Sequence, residues 1–384
     1  MSMSLFWNLE TQALALAERG KQVSLIQTNY KYNGILKTIQ VDFNEKIVLT
    51  TKWGHSFEIE TPRANNWSPI EGRKVVYLDQ KDWSLFSLAL SNPTEVSEKE
   101  REACFKLADL VKENKIILPF SMAHFMETYR WAKDERRNQL AAHLFEFSKG
   151  WQMVNPVEVR LLEIKSTFRD DFTPLNKEEV FSLAPYSLES NNSFLSPLGL
   201  EDLPEEVQAS SKQAIALVGT IETLMEEDRT FLDKNTQWAE ANQAFTKNIH
   251  SGDLTQKQIK AAIDLMFMQD IGTEAVNAVM QFERVYSLDE FKKWVMNFIK
   301  NDLPKTPTLA LHREIYQDKH RNAKITWSPN DLIDTMYMTV AASYADYLVG
   351  ERSLTHYLKN GAARYNRSSN HIFKNIVELI EELK

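Results

Sequence analysis

The spacing of apolar positions changes character several times along the chain, and each change marks a predicted element. Residues 4–18 place Leu5, Leu9, Ala13, Leu14 and Ala17 at helical intervals, which predicts a first helix. From Gln22 the pattern becomes strand-like. Gly34 to Phe43 alternates at Ile39, Val41 and Phe43, Asn44-Glu45 turns into Lys46–Thr51, and Ser56–Glu60 adds another strand. This predicts a helix-plus-meander accessory module over residues 1–72, closed by a linker from Thr61 to Pro69 that carries two prolines. Packing or protein contact is the plainest role for such a module.

At Lys74 the order becomes strand, acid, helix. Val75 to Leu78 is a short apolar run ending on Asp79, and Trp83 to Leu90 continues as an apolar helix. A polar loop from Asn92 to Arg101 enters a helix over Glu102–Lys112, and Lys115–Leu118 is a second buried-strand candidate stopped by Pro119. Ser121 then caps an amphipathic helix over 121–147, with a break near Asp134. Residues 73–154 therefore read as the first part of an α/β core. Residues 155–324 read as a mainly helical insertion without further strong strands: an irregular stretch over Phe172–Pro204, then helices near 206–232, 235–250, 255–269, 272–285 and 288–301. Residues 325–384 return to the core. Ser328-Pro329 opens a helix to about Ser343, Tyr347–Val349 is a short buried strand bounded by Gly350, and Ile372–Leu383 closes the chain as a helix with Glu378, Glu381 and Glu382 toward solvent.

With 384 residues and 43% hydrophobic content, the chain has ample material for packed domains. Its net charge of −8 argues against coating nucleic acid through bulk charge, so any such contact requires a local basic patch. The single cysteine, Cys104, excludes an intramolecular disulfide and a cysteine-rich zinc site. No basic segment followed by an apolar run stands at the N-terminus, and no run of about 18 apolar residues occurs. The expectation is a cytoplasmic protein with no membrane partner.

Taken singly, the acids have ordinary structural uses. Asp331 stands at the capping-box position after Ser328, Asp79 can cap the helix that follows it, and Glu127 can pair with Arg130 at i+3. Their common placement suggests more. Asp79 follows a buried strand, Glu127 lies a turn past the next strand, Asp331 and Asp334 share a helix face, and Asp346 and Glu351 flank another strand. Open α/β sheets bind ligands at the carboxyl ends of their strands. Acids gathered there repel one another unless a cation neutralises them, and an all-oxygen set favours Mg²⁺ or Mn²⁺ over zinc.

Val75-Val-Tyr-Leu-Asp79, the Ile116 to Glu127 segment, and Asn330-Asp331-Leu-Ile-Asp334 leading to Asp346-Tyr-Leu-Val-Gly-Glu351 together resemble a PIN-like nuclease domain, over about 73–150 and 325–360. The resemblance implies a three-layer α/β/α core with a central parallel sheet and a metal-dependent endonuclease, most often acting on RNA. Asp79, Glu127, Asp334 and Glu351 match the family's acids in order, with Asp331 beside the third and Asp346 as an outer or second-metal candidate. Arg130, Arg352, Arg321 and Lys324 are candidate phosphate contacts, within a basic run that also includes Arg313, Lys319 and His320. His124 stands three residues before Glu127, where a hydrogen-bonded structural role is the simpler expectation. Two departures stand out: the last acid is Glu where the family usually has Asp, and the insertion far exceeds the usual connection. Such domains frequently serve as toxins or host-defence effectors, and the insertion is a candidate lid, oligomer surface or docking site for a regulatory partner. Two other readings fit the same residues: a non-catalytic scaffold on a PIN-like fold, and a phosphohydrolase of small nucleotides. The lack of a G-x-x-x-x-G-K-[ST] loop weakens the second.

Overall fold

The computed structural model describes residues 3–18, 24–27, 34–43, 45–63, 66–130, 134–168, 172–185, 187–188, 205–225, 235–281 and 287–383. In chain order the strands are β1 (Met3–Asn8), β2 (Ala13–Glu18), β3 (Ser24–Gln27), β4 (Leu36–Asp42), β5 (Lys46–Thr51), β6 (Ser56–Glu60), β7 (Lys74–Leu78), β8 (Ile116–Ile117), β9 (Gln152–Met153), β10 (Phe181–Ser182), β11 (Tyr347–Val349) and β12 (Ile372–Phe373). The helices are α1 (Gln80–Ser91), α2 (Glu98–Lys112), α3 (Met122–Arg130), α4 (Asp134–Ser148), α5 (Pro156–Ser166), α6 (Glu205–Met225), α7 (Asn235–Ser251), α8 (Gln256–Asp270), α9 (Gly272–Gln281), α10 (Leu288–Asn297), α11 (Pro307–Arg321), α12 (Asn330–Tyr344), α13 (Arg352–Arg364) and α14 (Ile376–Glu382). The described residues divide into two compact units, one drawn from 1–154, 181–230 and 383–384, the other from 155–180 and 231–382.

In the first unit, β1 to β6 form one antiparallel sheet in the order β3-β2-β1-β4-β5-β6. The meander expected over 34–60 is present, whereas the helix expected over 4–18 is a hairpin. Leu5 pairs with Leu16 on one side and Val41 on the other, so β1 is an interior strand, and that pairing outweighs a weak helical spacing. The turn is specified locally: Asn8 Oδ1 accepts from the backbone N–H of Glu10 and Thr11, and Gln12 takes a positive φ of 59°. Ile39, Val41, Ile47, Leu49, Phe57 and Ile59 alternate onto a buried face, and Phe57 meets Phe145 of α4 at 6.1 Å between ring centroids.

The same unit holds the strand, acid, helix segment. Val75, Val76, Tyr77 and Leu78 are all buried, as expected of a strand covered on both faces, and β7 pairs with β8 in parallel through Lys74 and Ile116. Helix α1 starts at Gln80, earlier than its apolar residues indicate, because Asp79 caps it. Helix α2 likewise starts at Glu98, behind a capping box of Ser97 and Glu100. The helix expected over 121–147 consists of α3 and α4, and residues 131–133 between them lie outside the described set. Residues 181–182, expected to be irregular, form β10 against β9.

The second unit is helical apart from the parallel pair β11 and β12, joined at Leu348 with Ile372 and at Val349 with Phe373. The single closing helix expected over Ile372–Leu383 is therefore a strand followed by α14. An apolar core of Ile164, Ile263, Phe267, Ile271, Phe298 and Leu309 gathers α5, α8, α9 and α11. Helix α11 is buried over most of its length, and its start is held by α5: Glu163, 1% exposed, accepts from the N–H groups of Thr308 (2.8 Å) and Leu309 (3.1 Å). The Tyr344 hydroxyl donates to the same carboxylate at 2.5 Å. Parallel pairs together with a separate antiparallel sheet make the chain α/β. No helix among the described residues is long and apolar enough to cross a membrane.

Candidate active site

Asp79 stands at the carboxyl end of β7. Its Oδ1 accepts from the backbone N–H of Lys81 (2.8 Å) and Asp82 (3.2 Å), so the expected capping is present and fixes the carboxylate at the strand end. Asp82, one helical turn on, is 2% exposed, and its Oδ2 has no hydrogen-bond partner among the described residues. Burial first and the Asp79 charge second raise its carboxyl to about 8. Glu127, on α3, is raised to about 7 by burial and then by Asp79, with Arg130 opposing. In this unit Asp79 thus lies near enough to Glu127 and to Asp82 for its charge to act on both. The signal for Asp82 was its i+3 position after the capping acid, which reads as an unremarkable first-turn residue until its burial is known.

Two side chains set the geometry of this corner. Gln80, buried, donates from Nε2 to Thr128 Oγ1 at 3.0 Å, tying the start of α1 to the residue after Glu127. His124 donates from Nε2 to the Leu78 carbonyl (2.8 Å) and accepts at Nδ1 from the Ser121 N–H (3.1 Å). Those bonds define one neutral tautomer, and complete burial lowers the imidazole to about 3. Tyr77 stacks on the ring at 5.1 Å and shares a 2.9 Å hydrogen bond with Ser121. His124 therefore pins α3 to the end of β7, the structural role expected of it.

The other candidate acids belong to the second unit. Asp331 pairs with Lys319 at 2.6 Å, which matches its charge, and accepts from the Ser328 N–H at 2.7 Å. The helix itself starts at Asn330 behind Pro329 without a side-chain cap, one residue later than the Ser328-Pro329 start expected, so only the Asp331 half of the capping box is present. Asp346 pairs with Lys177 at 3.0 Å. Asp334 lies half-buried one turn into α12, and Glu351 is exposed at the N-cap of α13 without a side-chain capping bond. Among the described residues, no three His, Cys, Asp or Glu side chains are arranged to hold a metal ion by themselves.

The basic run separates in the same way. Arg313 is engaged by Asp264 at 2.7 and 3.0 Å, Lys319 lies over the Trp327 ring, and His320 is fully buried between Thr246 and Asn242. Arg321 and Lys324 are exposed, Arg130 is partly buried beside Glu127, and Arg352 is exposed at the start of α13. No family model, no curated protein and no solved structure gives a significant match to this chain.

Proposed function

We propose that this protein is a PIN-like, metal-dependent endonuclease that hydrolyses phosphodiester bonds, in RNA before DNA. The observation that carries the reading is the acidic corner at the end of β7: Asp79 fixed by the α1 N-terminus, Glu127 beside it, and the buried Asp82 behind it. Mg²⁺ keeps several waters and takes one or two carboxylates together with substrate phosphates, so Asp79 and Glu127 suffice as donors without a three-residue cage. Held there, such an ion would supply a water of lowered pKa and would neutralise charge developing on the phosphate oxygens. Within the chain, the Lys81 and Asp82 amides orient Asp79, His124 and Gln80 hold Glu127 in place, and Arg130 contacts a phosphate flanking the bond cut. Asp334 and Glu351 stay candidate ligands on the sequence resemblance.

The scaffold reading has its own support: Asp79 caps a helix, and Asp331 and Asp346 are engaged by lysines. Incubating the protein with RNA and DNA panels in Mg²⁺, Mn²⁺ or EDTA separates the two. The nuclease reading expects cleavage that EDTA abolishes and that Asp79→Asn, Glu127→Gln reduces by about a hundredfold or more, equivalent to about 3 kcal/mol of transition-state stabilisation. Absence of cleavage on every polymer, with no metal-dependent rise in melting temperature, supports the scaffold.

A further inference from the structure

The second unit contains a cleft of about 760 Å³ at the start of α13, comparable in size to small-ligand pockets. Arg352, His356 and Lys359 line it at i, i+4 and i+7, which places them along one face of the helix. Lys374 joins them from the segment after β12. Unlike Arg313, Lys319 and Arg364, which are held by carboxylates, Arg352, Lys359 and Lys374 form no ion pair among the described residues. Glu351 is the one carboxylate on the lining. The α13 N-terminus beside it lacks a side-chain cap, so helix polarity adds to the positive field. In a chain of net charge −8, three cations against one carboxylate in a single cleft mark a place for an anion.

We propose that this cleft grips the phosphate backbone of a single-stranded nucleic acid, with Tyr357 on its wall offering a ring face for base stacking. The inference rests on the nuclease reading and names the class of polymer that the cleft takes. From Arg352 to Lys359 the helix rises about 10 Å, at 1.5 Å per residue, which matches about three nucleotides at 3.4 Å each and exceeds the reach of a single phosphate. Cations lining a groove beside a half-buried aromatic on the same wall are the combination that binds single strands without reading sequence, and an acidic peptide has no use for the ring.

The test is fluorescence anisotropy in EDTA, so that binding is read without cleavage, using the full chain and a labelled single-stranded RNA of about twelve nucleotides. Arg352→Ala, Lys359→Ala, Lys374→Ala should weaken binding at least about tenfold and lower the salt slope by about two, at roughly 0.7 per phosphate contact. Tyr357→Ala should weaken it about fivefold or more, and polyglutamate of equal charge should compete poorly. The control Lys292→Ala, Lys293→Ala, Lys300→Ala removes the same charge from exposed positions elsewhere and should bind as wild type. The proposal is overturned by absent RNA binding in the wild type, by a cleft variant that binds within about twofold of it, by equal weakening in the control, or by polyglutamate competing as well as RNA. Cleft-dependent binding by a wild type that cuts nothing in Mg²⁺ or Mn²⁺ sinks the nuclease reading and leaves the cleft assignment standing. Normal cutting and binding by the cleft variant sinks the cleft alone.

Discussion

Glu163 shows how a fold offsets the cost of burying a charge. Burial raises its carboxyl above the usual carboxylate range, while the Tyr344 hydroxyl and two N–H groups at the start of α11 pull the other way. Removing the acceptor leaves those donors buried without a partner, so Glu163→Ala should cost about 3 kcal/mol in urea unfolding, and Glu163→Gln, which still accepts, clearly less. His143 gives a pH signature. Its Nδ1 lies 2.7 Å from the Ser87 hydroxyl, and burial, followed by the His55 charge, lowers it to about 4. The unfolded chain therefore binds more protons between pH 6.5 and 4, and the native state loses stability as pH falls through that window. His143→Gln should flatten the decline by roughly 2 kcal/mol, read as unfolding free energy against pH. At this scale the capping use of Asp79 and the contact of Asp331 with the Ser328 N–H were legible, because an acid after an apolar strand or three residues past a serine has few places to go. The fate of Lys319 and His320 was not. Their run looks like a solvated helix end, and only the burial of α11 turns those side chains inward.

Elements were legible where the local pattern and the long-range pairing agree. The β4–β6 meander, β7, β11 and the succession of helices after residue 205 are such cases. Where tertiary pairing decides, the pattern misleads: β1 and β2 carry apolar residues at intervals that suit a helix, yet the Asn8 turn and the flanking β4 make them strands. Two-residue strands such as β10 and β12 have too few positions to show a period at all. One tight junction is testable here. Gly150, between α4 and β9, has φ +87°, and a Cβ there would fall 2.6 Å from Ile59 Cγ2 on β6. Gly150→Ala combines backbone strain with a steric clash and should destabilise the protein by about 2 kcal/mol or more, measured by urea unfolding. The Ser97 capping box gives a smaller effect, with Ser97→Ala costing about 1 kcal/mol in the same assay.

Across the whole molecule, charge is the informative quantity. The excess of acids makes general attraction to a polyanion unfavourable, so binding must come from a local field, and much of the remaining basic charge is held in ion pairs such as Arg313 with Asp264 and Lys319 with Asp331. A divalent ion at Asp79 and Glu127 would remove negative charge from the corner and stabilise the native state by mass action, so Mn²⁺ should raise the melting temperature of the wild type and leave Asp79→Asn, Glu127→Gln unchanged. The most direct measurement is anomalous diffraction from crystals soaked in Mn²⁺. The account predicts a peak at coordination distance from both the Asp79 and Glu127 carboxylates, lost in the double variant. No peak there at saturating Mn²⁺, or a peak that survives in the double variant, would contradict it.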